Sequence, residues 1–285
     1  MNTRVLEVPG AVLTYDVREA PASAAPVLFM FGSPMSASGF ADLAERFGDR
    51  TVVTYDPRGS ARSKRTAHGE STPEQHGDDL QRIIAALGDR PVDIFATSGG
   101  AINALALVAR HPEQVRTLVA HEPPLVQLLA DREPALAAVA DIGRTYEADG
   151  FGPAMAKFIG LTMWNGEVPD DFADRPAPNP ADFGMPTGDD GSRDDVLLGQ
   201  NLITSTHYEP DLGALRSAST RIVLAAGAES EGELAHRGAI AVADRLGTTA
   251  VSFPSHHVGF VAGGFMKGDP DAFAATLREV LNETC

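Results

Sequence analysis

The chain has 285 residues, 43% apolar and 22% charged, a soluble globular balance with room for one large α/β domain or a core domain plus an insertion. Its net charge of −16 argues against nucleic acid or an anionic membrane as a main partner, and no apolar run reaches the ~18 residues that a membrane span needs. The residues after Met1 carry no apolar signal-peptide core, and a lone cysteine, Cys285, excludes a disulfide framework and fits a reducing, cytoplasmic setting.

Residues 5–8 and 11–15 read as a strand pair around Pro9-Gly10. Residues 27–31 form a continuous apolar run, as in a strand buried on both faces. A helix is expected over 38–47, a strand over 51–55, and a helix over 73–87 with Pro73 in its first turn and Gly88 beyond its end. A strand over 92–96 passes at Thr97-Ser98 into a helix over 99–110, and a strand follows at 117–120. The rhythm then breaks. Residues 125–159 look helical, 168–191 are rich in Pro, Asp and Gly, and 194–204 look helical again. Strand, helix, strand and helix resume at 221–226, 233–246, 249–253 and 271–281. Alternating strands and helices predict an α/β fold with a mostly parallel central sheet flanked by helices. Residues 1–124 and 216–285 would form its core, with a helical insertion over 125–215. Ligands of open α/β sheets bind at the carboxyl ends of the strands, so such an insertion would lie over the site as a lid.

Four stretches bear on chemistry: "LFMFGSPMS", "YDPRGSARS", "ATSGGAINALALVARHP" and "SHHVGF". In this order and on these elements they make the chain resemble the α/β-hydrolase family with a helical cap, over nearly its whole length. The nucleophile motif of serine hydrolases, G-x-S-x-G, is met with Ala96 in place of the first Gly. The resemblance implies that Ser98 is the nucleophile on a sharp strand-to-helix turn; taken alone, Ser98 could equally cap the helix. It implies backbone N–H donors to an oxyanion at Gly99 and at Ser33, where Phe31 replaces the usual His of that loop. The family's H-x-G-F matches His257-Val258-Gly259-Phe260, which makes His257 the base and His256 a loop residue. Of the other histidines, His111 and His236 fall on helices, and His68 and His76 lie in a polar segment read as solvated.

The acid is the member with open alternatives. The family's G-x-x-D falls on Gly227-Ala228-Glu229-Ser230, where the Asp position holds Ser230. Glu229, one residue early but one methylene longer, is the first choice. Glu122, after the strand ending at Ala120, and Glu231 are the others. Asp56 and Arg58 read as a structural turn. Met35, Trp164 and Phe260 are candidates to line the substrate pocket. No P-loop, no dinucleotide-binding glycine unit and no Cys/His cluster is found, so neither a cofactor nor a metal is expected.

These readings imply a serine hydrolase acting on carboxylic esters or related acyl compounds of modest size and apolar character. A small-molecule substrate is its expected partner, and a homo-oligomer is compatible. With no carboxylate at position 98, epoxide hydrolase and haloalkane dehalogenase chemistry is disfavoured. Lactone, C–C bond and perhydrolase chemistry use the same triad. The departures at Ala96, Phe31 and Ser230 also fit a non-catalytic ligand-binding protein of this fold.

Overall fold

The computed structural model describes residues 1–285 except 68, 70, 89, 264, 265, 284 and 285. His68 and Cys285 therefore lie outside the described residues. Nine strands are found among the described residues: β1 Asn2–Val8, β2 Ala11–Arg18, β3 Leu28–Phe31, β4 Val52–Asp56, β5 Lys64–Arg65, β6 Val92–Thr97, β7 Val115–His121, β8 Arg221–Gly227 and β9 Val251–Phe253. They form one sheet in the order β1-β2-β4-β3-β6-β7-β8-β9, with β5 beside β2. The β1–β2 and β2–β4 pairs are antiparallel, and every pairing from β4 to β9 is parallel.

The alternation of side chains across each strand explains why this sheet is covered on both faces. Phe29, Phe31, Ile94 and Leu118 face Leu80 and Ile83 of α2 (Pro73–Leu87) and Ile102 and Leu105 of α3 (Gly99–Arg110). Leu28, Met30, Phe95 and Val119 face the other way, towards Leu43 of α1 (Ala41–Glu45) and Phe273 and Leu277 of α9 (Pro270–Asn282). Each fully buried Leu or Phe contributes about 1.5–3 kcal/mol relative to exposure, so the one-residue offset between the two faces is strongly specified. The helix expected over 38–47 is shorter than read: a 3-10 turn, Ala37–Phe40, leads into α1.

Between β7 and β8 lies the helical insertion, with its own apolar cluster of Val126, Val139, Ile142, Leu161, Leu198 and Leu202. Leu234 of α8 (Leu234–Leu246) belongs to the same cluster, so the insertion is seated on α8. Asp131 adds a fork to Arg237 of α8 at 2.7 and 2.9 Å and accepts the N–H of Val168 at 2.6 Å. Leu125 and Leu215, at the two ends of the 125–215 interval, join the main core cluster. Leu215 does so from α7 (Leu212–Ser217), which packs on α3 and α8.

The interval expected to be helical over 125–159 is three pieces: a 3-10 turn at Val126–Leu128, α4 (Arg132–Asp149) and α5 (Phe151–Thr162). The break between α4 and α5 is at Gly150, whose φ of +85° favours glycine. The segment expected to be helical over 194–204 is a π turn, Leu197–Asn201, followed by the short α6 (Leu202–Thr206).

Candidate active site

Ser98 stands between β6 and α3 with φ +56° and ψ −134°. Such a backbone costs a non-glycine residue on the order of 1–3 kcal/mol, and the surrounding structure must hold it. Its N–H donates to the His121 carbonyl at 2.9 Å, and its carbonyl accepts the N–H of Ala101 at 2.9 Å. The two glycines after it permit the close approach that the turn needs. A Cβ on Gly100 would lie 2.7 Å from Gly32 Cα, and one on Gly99 would lie 2.8 Å from the Ser33 carbonyl. Ala96, where the family has Gly, sits inside β6 between Phe31 and Ala120 and is fully buried. Its methyl group joins the core and leaves the turn free.

His257 follows β9 and is half-buried. Its Nδ1 lies 2.6 Å from Glu122 Oε2. Glu122 is the first residue after β7, fully buried, with φ +48°. Its N–H donates to the Ala225 carbonyl, which anchors the turn on β8. Its other oxygen, Oε1, accepts the N–H of Gly227 at 2.8 Å and the hydroxyl of Ser230. Burial alone would raise this carboxyl, but the His257 hydrogen bond, the charges of His121 and His257 and the Ser230 hydroxyl hold it down at about 2.

The first-choice acid, Glu229, makes no such contact. It is exposed, and its nearest side-chain partner is Ser255 Oγ at 3.5 Å. The reason lies in the turn after β8. Ser230 points inward to Glu122, which leaves its neighbour Glu229 pointing out. Glu231 is exposed as well, and its carbonyl accepts from Asn165 at 2.6 Å. The carboxylate that meets His257 is thus Glu122, and Ser230, in the family's Asp position, serves as its hydrogen-bond donor.

Ser98, His257, Ser33 and Gly99 line one cavity of about 240 Å³ beneath the insertion. The N–H groups of Ser33 and Gly99 are taken by no backbone carbonyl among the described residues. Val139, Phe158, Leu161, Leu202 and Leu234 supply an apolar wall. Asn201 and Glu233 are polar members, and no Lys or Arg lines the cavity among the described residues.

The three residues read as pocket-lining lie elsewhere. Phe260 is fully buried in the core, stacked on Phe40 with ring centroids 5.2 Å apart, because the H-x-G-F turn folds its aromatic ring back under the sheet. Trp164 packs on Phe172, beneath the Arg175 guanidinium, and donates to the Glu167 carbonyl, against the apolar cluster of the insertion. Met35 lies against Gly39 and the core cluster behind the loop.

One histidine departs from its reading, and another belongs to the site without one. His76 is buried, at the start of α2, and not solvated; burial keeps its ring neutral, with a pKa of about 4. His121, not singled out from sequence, is fully buried beside Glu122. Its Nδ1 shares a hydrogen bond with Thr97 Oγ1 at 3.0 Å, and its ring is stacked 6.1 Å from that of His257. Burial lowers its pKa to about 4 as well. The clue was the "AHEPPL" stretch, where a polar pair ends an otherwise apolar strand. Donor atoms of His121, Glu122 and His257 lie within 4.8 Å of one another, a cluster that the linear spacing did not reveal. Glu122 Oε2 and His257 Nδ1 are already paired in it, and His121 Nδ1 is engaged with Thr97.

Asp56 and Arg58 are structural, as read. Asp56 accepts the Ala37 N–H at 2.8 Å, steadying the turn beyond the Ser33 loop, and Arg58 forks onto the buried Asp79 of α2 at 2.7 and 2.9 Å.

Residues 25–197 match the family model described as the alpha/beta hydrolase fold. An uncharacterized hydrolase of Bacillus subtilis (strain 168), YraK, is 37% identical over 121 residues, 42% of this chain and 44% of that protein. The chain spans less than half the length of the curated relatives it matches. A hydrolase from Pseudomonas aeruginosa PA01 superposes with a TM-score of 0.70 at 21% identity over 99% of both chains. The enol-lactonase from Burkholderia xenovorans LB400 superposes with a TM-score of 0.66 at 19% identity, covering 98% of this chain and all (100%) of that one. At these identities the structural likeness carries the fold alone.

Proposed function

The chain belongs to the alpha/beta hydrolase fold family, and from that premise we propose that it is a serine hydrolase whose triad is Ser98, His257 and Glu122. The observation that carries the reading is the pairing of His257 Nδ1 with a buried, hydrogen-bonded Glu122, in a cavity that Ser98 also lines. Glu122 holds the imidazole with its proton on Nδ1, which leaves Nε2 as the base. Ser98 Oγ adds to the substrate carbonyl carbon as Nε2 takes its proton, and the carbonyl oxygen becomes an alkoxide facing the N–H groups of Ser33 and Gly99, the oxyanion hole. Collapse of this intermediate expels the leaving group, which receives the proton from His257. Water, deprotonated by His257, then releases the acid from the acyl-enzyme.

The apolar wall and modest volume of the cavity favour small, uncharged or weakly polar acyl compounds, with carboxylic esters as the first class to screen. Among the described residues no Lys or Arg lines the cavity, which disfavours substrates that carry a free carboxylate. The insertion, acting as the cap, would select among them.

A fluorophosphonate probe tests the reading. Wild-type protein is expected to label on Ser98, and Ser98→Ala is expected not to label. Folded wild type that stays unlabelled would instead support a ligand-binding role without catalysis.

A further inference from the structure

Asn201 closes the π turn of the insertion and is buried against the core. Its Nδ2 donates to Ser33 Oγ at 3.2 Å. An amide nitrogen only donates, so the serine oxygen accepts in this bond and its own proton must point elsewhere. No acceptor takes that proton among the described residues. Ser33 Cβ lies 3.6 Å from where a Cβ on Gly99 would stand, and Ser33, Gly99 and Asn201 line the same cavity.

The hydrogen bond to Ser33 sets the orientation of the Asn201 amide. Its oxygen makes no hydrogen bond within the described residues, and neither ring nitrogen of the buried His76 does. The Asn201 side chain and the His76 ring are neighbours, and an amide oxygen on that side can accept from a ring N–H. A reversed amide would set NH₂ against the ring and let its oxygen capture the serine proton. The turn itself is fastened to the core on both sides of Asn201. Gln200 accepts from Arg65, and Thr204 Oγ1 donates to the Ser71 carbonyl at 2.8 Å.

We propose that the Ser33 hydroxyl, turned by Asn201, donates a third hydrogen bond to the oxyanion, making Ser33 a catalytic residue through its side chain and Asn201 a positioning residue. The proposal rests on the acyl-transfer reading above. As Ser98 Oγ bonds to the carbonyl carbon, the electron pair of the C=O bond moves to oxygen. That oxygen then accepts from the Ser33 N–H, the Gly99 N–H and the Ser33 O–H. No bond to Ser33 breaks, and the only proton transferred goes from Ser98 to His257.

The test compares wild type with Ser33→Ala, Ser33→Thr, Asn201→Leu, Asn201→Asp and the Ser33→Ala/Asn201→Leu double variant. The substrate is p-nitrophenyl butyrate, and an alkyl trifluoromethyl ketone is the inhibitor whose adduct carries the oxyanion. Ser33→Ala keeps the backbone donor and is expected to lower kcat roughly 100-fold, with KM changed by less than about 2-fold. Ser33→Thr, which keeps a hydroxyl, is expected to recover most of kcat. Asn201→Leu, similar in size but without a donor, should lose about as much as Ser33→Ala, and the double variant should lose no more than Ser33→Ala alone. In Asn201→Asp the carboxylate takes the serine proton, so its kcat should fall at least as far as that of Asn201→Leu. Ketone affinity should fall in step with kcat. A Ser33→Ala enzyme within about 2-fold of wild type, additive losses in the double variant, or losses borne by KM would each overturn the proposal. Fluorophosphonate labelling separates the two levels. Labelled wild type with an unaffected Ser33→Ala defeats this inference alone, whereas unlabelled wild type defeats it together with the acyl-transfer reading.

Discussion

At the scale of single residues, the acid is where local pattern and three-dimensional contact part company. Glu122→Gln keeps the shape of the side chain and an oxygen for Gly227 and Ser230, but it turns an NH₂ group towards His257. The ring must then accept at Nδ1, and its proton moves to Nε2, where the base is needed. The expected result is a kcat lower by roughly 10³–10⁴-fold for Glu122→Gln, with Glu229→Gln close to wild type in the same ester assay. Equal losses would show that the 2.6 Å contact does not govern the reaction. The placement of Ser98 and His257 at one cavity was legible in the sequence because each occupies a motif tied to one turn: strand to helix for Ser98, H-x-G-F for His257. Glu122 was visible only as an alternative, because its selection depends on which of two adjacent parallel strands reaches the imidazole. The inward direction of Ser230 decides that, and no linear motif records it. The pocket residues were legible least. Proximity in sequence to a catalytic loop says nothing of whether a ring such as Phe260 turns into the cavity or beneath the sheet.

At the scale of elements, the sheet and its flanking helices could be read from apolar strand-like runs alternating with helical patterns. The insertion was harder. Its helices are interrupted by close contacts from a segment rich in Pro, Gly and Asp, and long-range contacts of that kind leave no periodic signature. Gly150 and Gly152 record them. A Cβ on Gly150 would stand 2.3 Å from Asp189 Oδ1, and one on Gly152 would stand 1.7 Å from the Pro186 carbonyl. At Gly150 the positive φ adds strain to the contact, while at Gly152 only the contact acts. Gly150→Ala is expected to cost about 1–3 kcal/mol. Gly152→Ala should cost more, since backbone has to move, and should loosen the 186–191 segment. Urea unfolding combined with limited proteolysis of that segment measures both effects. Unchanged unfolding of Gly152→Ala would mean that α5 does not dock there. The π turn was likewise unreadable, since its extra residue interrupts the helical period only once.

At the scale of the whole molecule, three buried ionisable groups set the response to acid. His76 and His121 are kept neutral by burial, at about 4 instead of the ordinary 6.5. The unfolded chain takes up their protons first, so their contribution is complete above pH 6.5 and is lost as the pH falls towards 4. Glu122, held at about 2 instead of 4.5, contributes fully above pH 4.5 and is lost between there and pH 2. Each effect is on the order of 3 kcal/mol. Urea-unfolding free energies are therefore expected to begin falling below pH 6.5, before ordinary carboxylates titrate, and His76→Phe should make that first limb shallower, leaving the share of His121. A flat profile from pH 7.5 to 5 would show that neither histidine is held neutral. The position of the insertion has a further consequence. Ser33, Ser98, Gly99 and Glu122 all precede it in the chain, and His257 follows it. Evolution or a protein engineer can therefore exchange the insertion as a cassette, re-tailoring the acyl group admitted, without severing any of these residues from its own strand. The exception is Asn201, which travels with the cassette. A transplanted insertion would bring its own partner for Ser33, so turnover and specificity would be inherited together.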